Sequence, residues 1–270
     1  LIQKKDWYWD MSVNGYTYAN KMLNLPDEYK VSGMPNGNQR IYEGKDIYRW
    51  EMRQFAGLDE KGNSLWYMDQ DILDDAGNVV GVEKVTTGDA TEATQYLLEK
   101  SALPDFTGGL NTTLRWKSLD LTIMTNFQFG GYGYDYDFSA FSSANFPMNR
   151  LKNYADAWNP ETGKGSAPIW NTNDSNINAS SDRFLINKTY FNLRNITLGY
   201  TFPANWMSKI GIKSVRVYFA CDNVFFASKR KGYDPRTSMG GQGATVALNS
   251  VDGTYYSPIR TTSVGLNINF

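Results

Sequence analysis

The chain of 270 residues contains no histidine. That removes the side chain most often used as a general base near neutral pH, and the commonest transition-metal ligand. A single cysteine, Cys221, excludes an intrachain disulfide framework. No apolar run approaches the ~20 residues that a membrane-spanning helix needs. Neither charge is in surplus. The 27 basic and 28 acidic side chains leave a formal net charge of −1, without the basic excess that nucleic-acid binding uses. Gly-rich phosphate loops, metal-ligand clusters and nucleophile–base arrangements are also missing, so no enzymatic class is indicated. The opening residues, Leu1-Ile2-Gln3-Lys4-Lys5, have neither a starting Met nor the apolar stretch of a signal peptide, and the sequence reads as a truncated chain.

What the sequence does contain is alternation. From 260 to 270, Val264, Leu266, Ile268 and Phe270 fall on one side, and Ser263, Gly265, Asn267 and Asn269 on the other. Period two is the signature of a strand with one apolar and one polar face. The same pattern runs through 119–129, where Leu119, Leu121, Ile123, Phe127 and Phe129 alternate with Asp120, Thr122, Asn126 and Gln128. It also runs through 110–116, so Lys117-Ser118 between them forms a tight hairpin turn. Trp7, Trp9, Met11 and Val13 make another such strand, and further strands are predicted at 48–57, 64–68, 190–202 and 214–225. In 190–202 the apolar residues change from odd to even positions, which a bulge near Arg194-Asn195 corrects.

Eight strands result, with short connections after Gly57, Trp116 and Phe202 and long ones over 22–47, 69–107, 130–189 and 227–259. Helical pieces are expected within 91–100, 148–158 and 203–210. Apolar-out, polar-in strands with every long loop at one end suit a transmembrane barrel. The predicted fold is therefore all-β: a transmembrane antiparallel β-barrel, one unit over 1–270, with long extracellular loops and short periplasmic turns. Aromatics at 15% suit interface girdles and sugar-stacking surfaces alike. A secreted, soluble carbohydrate-binding β-sandwich is the rival reading.

Residues 190–203 (Y-F-N-L-R-N-I-T-L-G-Y-T-F-P) resemble the near-C-terminal strand of the SusC/RagA family of TonB-linked outer-membrane proteins. The stretches 211–223 (G-I-K-S-V-R-V-Y-F-A-C-D-N), 231–236 (K-G-Y-D-P-R) and 257–270 agree in order, as do 101–110, 116–121 and 180–185. The resemblance implies a barrel of 22 strands around an N-terminal plug, of which this chain holds the last eight. It further implies multi-pass insertion in the bacterial outer membrane and TonB-coupled import of oligosaccharides, with peptides as the alternative cargo. The implied partners are a SusD-like surface lipoprotein, TonB acting through the plug region, the glycan ligand and outer-membrane lipid.

Site residues follow from these expectations. Val264, Leu266, Ile268 and Phe270 are assigned to the barrel assembly signal, and Trp7, Trp9, Trp116, Tyr200 and Phe202 to an interface girdle. Ligand- or lid-contacting candidates are Trp66, Tyr132, Tyr134, Tyr136, Trp158, Trp170 and Tyr233. Among them, the rings at 132–136 are interleaved with Gly133 and Asp135, as pyranose recognition requires. Asp69, Asp71 and Asp75, with Asp74 and Asn78, form an acidic run of a density that suits Ca²⁺, although the spacing is not that of an EF-hand. No other cofactor is expected.

Overall fold

A computed structural model describes residues 2–142, 156–170, 176–177, 179–229 and 258–270. The chain opens with β1 (Ile2–Lys4) and β2 (Trp7–Tyr16), then leaves the main sheet for an excursion over 17–105. That excursion holds β3 (Met34–Asn36), β4 (Gln39–Ile41), β5 (Arg49–Arg53), β6 (Phe55–Leu58), β7 (Ser64–Leu73), β8 (Val79–Thr87) and β9 (Gln95–Ser101). The chain returns through β10 (Phe106–Trp116) and β11 (Leu119–Phe129). A second excursion carries β12 (Tyr132–Tyr134), α1 (Tyr136–Phe141) and β13 (Leu185–Asn187). There follow β14 (Tyr190–Thr201), α2 (Ala204–Met207), β15 (Ser214–Ser228) and β16 (Thr261–Asn269).

Seven strands form one antiparallel sheet in the order β1-β2-β10-β11-β14-β15-β16. Its register sorts the side chains into rows. Trp7, Trp116, Leu119, Tyr200, Val217 and Leu266 lie abreast, followed by Trp9, Leu114, Leu121, Leu198, Phe219 and Val264. Met11, Thr112, Ile123, Ile196 and Cys221 make the next row on that face. The intervening rows are polar, for example Asp10, Thr113, Thr122, Thr197 and Ser263. Most long strands of this sheet have 10 to 15 residues and β16 has nine, enough to cross a hydrocarbon layer when tilted.

The bulge expected in β14 is present. Met124 faces Asn195 while Thr125 faces Leu193, so Arg194 is the extra residue. It flips the parity of β14, which puts Leu193 and Phe191 on the same face as Ile196 and Leu198. Across the β14–β15 pair the register shifts at the same level, where Asn223 adopts φ 51°.

The apolar face is open. Val264 is 76% exposed and Leu266 57%, and Trp7, Met11, Val13, Leu198, Phe219 and Phe225 are exposed with them. No second sheet covers this face among the described residues, which removes the sandwich reading, because a sandwich buries that face. Two other expectations are corrected. Residues 48–57 and 64–68 are strands, but they join a four-stranded sheet (β3-β4-β5-β9) and a three-stranded one (β6-β7-β8) outside the main sheet. Residues 95–101 form β9 rather than a helix, because Leu98 is needed in a core against Trp50 and Met52. The helix predicted within 148–158 falls largely outside the described residues. The turn at 203–210 is helical as expected.

Both excursions leave the main sheet at the Tyr16–Phe106–Phe129 end, and the short turns lie at the Trp7–Trp116 end. The dry core lies in the excursions. Trp50, Met52, Leu98, Ala102, Tyr134 and Phe184 pack together there, drawn from both the first and the second excursion. Depth should govern the cost of a charge on the apolar face. Ile123→Arg is expected to destabilise the protein in lipid vesicles by ~2–4 kcal/mol, and Leu266→Arg, in the row of Trp7 and Trp116 toward the short turns, by ~0–1 kcal/mol. Urea titration of heat-modifiable gel migration measures both, and equal costs would contradict the row assignment.

Candidate functional site

Where the two excursions meet the main sheet, residues 44–49, 99–105 and 131–132 line a cleft of about 560 Å³. A smaller cavity of about 280 Å³ adjoins it and shares Asp46, Ser101, Leu103 and Asp105. The cleft is anchored from below by the strand ladders, since the Asp105 N–H donates to Phe129 O at 3.0 Å. Its wall is built by short-range polar contacts. Asp46 accepts from the Tyr48 N–H at 3.0 Å and from the Ser101 hydroxyl, and Ser101 Oγ in turn accepts from the Leu103 N–H at 3.1 Å. Arg49 is ion-paired with Glu99. Gly130, at φ 71°, is required here twice over, because a Cβ there would stand 1.9 Å from Asp105 Oδ2.

One buried amide in this region carries unspent hydrogen-bonding capacity. The Asn20 carboxamide accepts from the Ile47 N–H at 2.9 Å through Oδ1, while its Nδ2 is buried with no partner. Asn20 lines the smaller cavity. Tyr132 presents a half-buried ring to the larger one, and Lys100 Nζ stands 5.5 Å from its centroid. Carboxylate acceptors and one aromatic ring, beside Lys45 and Arg49, suit a ligand rich in hydroxyl or amide groups.

The remaining aromatic candidates do not share this surface. Trp66 is 2% exposed and packs on Ala90, Ala93 and Ala179, and Tyr134 is 5% exposed, so burial withdraws both from ligand contact. Tyr134 sits edge-on to Tyr136 at 4.6 Å and to Phe184 at 5.9 Å. The alternation of rings and carboxylates was a packing pattern, since Asp135 is buried and caps α1 by accepting from the Phe138 N–H at 2.9 Å. Trp158 lies against Gly62, where a Cβ would be 2.5 Å from its ring. Trp170 is exposed, and Tyr233 lies outside the described residues. Trp50, whose Nε1 donates to Tyr132 O at 3.2 Å, is the organising residue that aromatic counting missed.

The acidic run is dispersed along the β7–β8 hairpin. Asp69 accepts from the Tyr96 hydroxyl at 2.6 Å, and burial together with that carboxylate pushes Tyr96 up to about 12. Asp74 closes the turn by accepting from the Asn78 and Ala76 N–H groups. Among the described residues no three acidic, histidine or cysteine side chains converge to hold a metal ion. At the short-turn end, Trp7 and Trp116 stack at 5.8 Å, Tyr200 meets Phe202 edge-on at 5.2 Å, and Trp9 Nε1 donates to Thr112 Oγ1 at 2.8 Å.

No family model matches the chain. Among curated proteins, TonB-dependent receptor P3 of Formosa agariphila is 24% identical over 290 residues, covering all of this chain and 27% of that protein. TonB-dependent receptor SusC of Bacteroides thetaiotaomicron is 25% identical over 276 residues, covering all of this chain and 25% of its own length. Among solved structures, the RagAB peptide transporter superposes with a TM-score of 0.74 at 25% identity, covering the whole chain and 28% of the other. The chain resembles SusC/RagA-type TonB-dependent receptors along its full length. It spans about a quarter of the curated relatives it matches.

The polar face carries its own constellation. Arg216 Nε and Nη2 grip Asp120 at 3.0 and 2.5 Å across β14, over Gly199. A Cβ on Gly199 would stand 2.4 Å from Arg216 Nη2 and 2.5 Å from Asp120 Oδ1. Gly199→Ala is therefore expected to cost about 1.5–3 kcal/mol by splitting this pair, and much less once Asp120→Asn has removed it. A double-mutant cycle in vesicle unfolding measures the difference.

Lys188, between β13 and β14 and outside the main sheet, has an ammonium that burial pulls down to about 8. Because the unfolded chain then holds the proton more tightly, stability should rise as pH climbs from about 8 to 10.5. Lys188→Met should flatten that rise, which unfolding midpoints across this range would show.

Proposed function

We propose that this chain is a section of the wall, with its outer loops, of a TonB-dependent importer in the bacterial outer membrane. The observation that carries this reading is the sheet itself: rows of apolar and polar residues alternate across seven strands, with the apolar rows uncovered. The likeness to TonB-dependent receptors over the whole chain supports it. In this reading the apolar face meets lipid and the polar face lines the lumen of a larger barrel. Trp7, Trp9, Trp116, Tyr200 and Phe202 form the girdle on the periplasmic side, and Val264, Leu266, Ile268 and Phe270 are the strand that the insertion machinery reads. The excursions face outward, where a SusD-like lipoprotein covers them, and TonB acts through a plug region. The chain's part in this is transport rather than catalysis.

The cargo class we propose is oligosaccharide. Asp46 and Asp105 offer acceptors to hydroxyls, and Tyr132 offers a ring to a sugar face. Peptide is the second reading. It is favoured by the similarity to the RagAB peptide transporter, and by the mixed charges Lys45, Arg49, Glu99 and Asp105 around the cleft. Calcium at Asp69, Asp71 and Asp75 has little support, because Asp69 is already bonded to Tyr96.

Uptake of labelled oligosaccharides and peptides by cells carrying the full-length protein, with and without TonB, tests the proposal. TonB-dependent oligosaccharide uptake is expected, reduced about tenfold by Tyr132→Ala, the loss of one stacked ring of ~1.5 kcal/mol. Uptake of peptides alone would transfer the cleft to the second reading.

A further inference from the structure

Five lysines collect at the short-turn end of the main sheet. Lys4 and Lys5 end β1 and begin the turn after it, Lys117 occupies the two-residue turn between β10 and β11, and Lys209 and Lys213 lie in the β14–β15 connection. All five are exposed, and the same turns contain one carboxylate, Asp6. None of the five takes part in an ion pair among the described residues, where the salt bridges lie elsewhere.

The aromatic residues beside them supply the second half of the observation. Lys4 pairs in register with Trp7 and so shares its face. Lys117 Nζ stands 5.4 Å from the Trp116 ring centroid. Lys213 immediately precedes Ser214, which faces Asn269, so alternation places Lys213 on the side of Val215 and Ile268. Trp7, Trp116 and Tyr200 are exposed on that face, and Trp206 is 56% exposed in α2. The nearby arginines are oriented differently. Arg216 is neutralised by Asp120, and Arg115 lies over Tyr8, both on the polar face.

We propose that this rim binds the anionic headgroups of phospholipids in the leaflet on the short-turn side, and so fixes the depth of the wall in the membrane. The inference rests on the membrane-wall reading above. Exposed Trp and Tyr settle at the headgroup level. Lysine stems lie along apolar surface while their ammonium groups reach for phosphate, and an anionic leaflet attracts each of them. A free phosphate offers the same chemistry but fits less well. The lysines are spread along the turns of adjacent hairpins, across roughly 20–25 Å at the ordinary strand spacing, and do not converge on one point. A row of headgroups matches that spread and a single ion does not.

The test uses the full-length protein reconstituted in vesicles of phosphatidylglycerol and phosphatidylcholine, with retained lipids counted by native mass spectrometry after detergent release. Wild-type protein should retain phosphatidylglycerol over phosphatidylcholine. The variant K4Q/K5Q/K117Q/K209Q/K213Q should lose that preference by about tenfold or more, and the matching Lys→Arg variant should keep it. The preference should also fall as salt is raised. Equal retention by the Gln variant, or no phosphatidylglycerol preference in the wild type, would overturn the inference. Binding of inorganic phosphate without any lipid preference would overturn it too, as would a preference for lipopolysaccharide that these lysines control. Heat-modifiable migration of the same samples separates the two readings. If the wild type lacks it, the membrane-wall reading fails; if it is present without lipid preference, only the rim inference fails.

Discussion

Cross-strand register is the constraint on which everything else in this molecule depends. Each strand of the main sheet has two chemically different faces, so a slip of one residue would exchange Leu121, Ile123 and Phe127 for Asp120, Thr122 and Asn126. Register is pinned where the pattern itself would break it. Arg194 supplies the extra residue that returns Phe191 and Leu193 to the apolar side. In the membrane-wall reading, hydrocarbon enforces such order, because it offers no partner to a backbone group left out of the ladder.

The main sheet and the excursions differ in what stabilises them. The main sheet has almost no buried side chains of its own, and its apolar rows depend on what lies outside them. The excursions fold by ordinary desolvation. Trp50, Met52, Leu98, Tyr134 and Phe184 are each no more than 5% exposed, and they come from segments separated by the whole of β10 and β11. The cleft sits at the seam between these regimes, where polar groups remain after each has satisfied its own requirements.

The sheet was legible in the sequence wherever alternation continued for a full crossing, as in 119–129 and 260–270. Even the β14 bulge could be placed from the parity change around Arg194. Period two says that a strand has two faces, but not which sheet receives it. That is why 48–57 and 64–68 were given to the wrong sheet. The sequence at 91–100 has a helix composition, yet Leu98 is held by Trp50 and Met52 in β9, a tertiary demand that overrides local propensity. The site was less legible. Tyr132 and Tyr134 are indistinguishable in sequence, and only the fold makes one a cleft wall and the other a core residue. Asn20, Asp46 and Asp105 carried no local signal, since their meaning comes from segments that meet only in three dimensions.

The neighbours β2 and β10 are adjacent in space, but the chain between them runs from residue 17 to 105. The eleven-residue hairpin partner of β10, β11, by contrast follows after two residues. Closing the longer gap as free polymer would cost entropy that rises with the logarithm of its length. Within that gap, β5 already pairs with β9, and the Ala102 N–H donates to Tyr48 O at 2.9 Å. A segment so organised shortens the free chain between Tyr16 and Phe106, and so lowers the entropy lost when β2 and β10 pair.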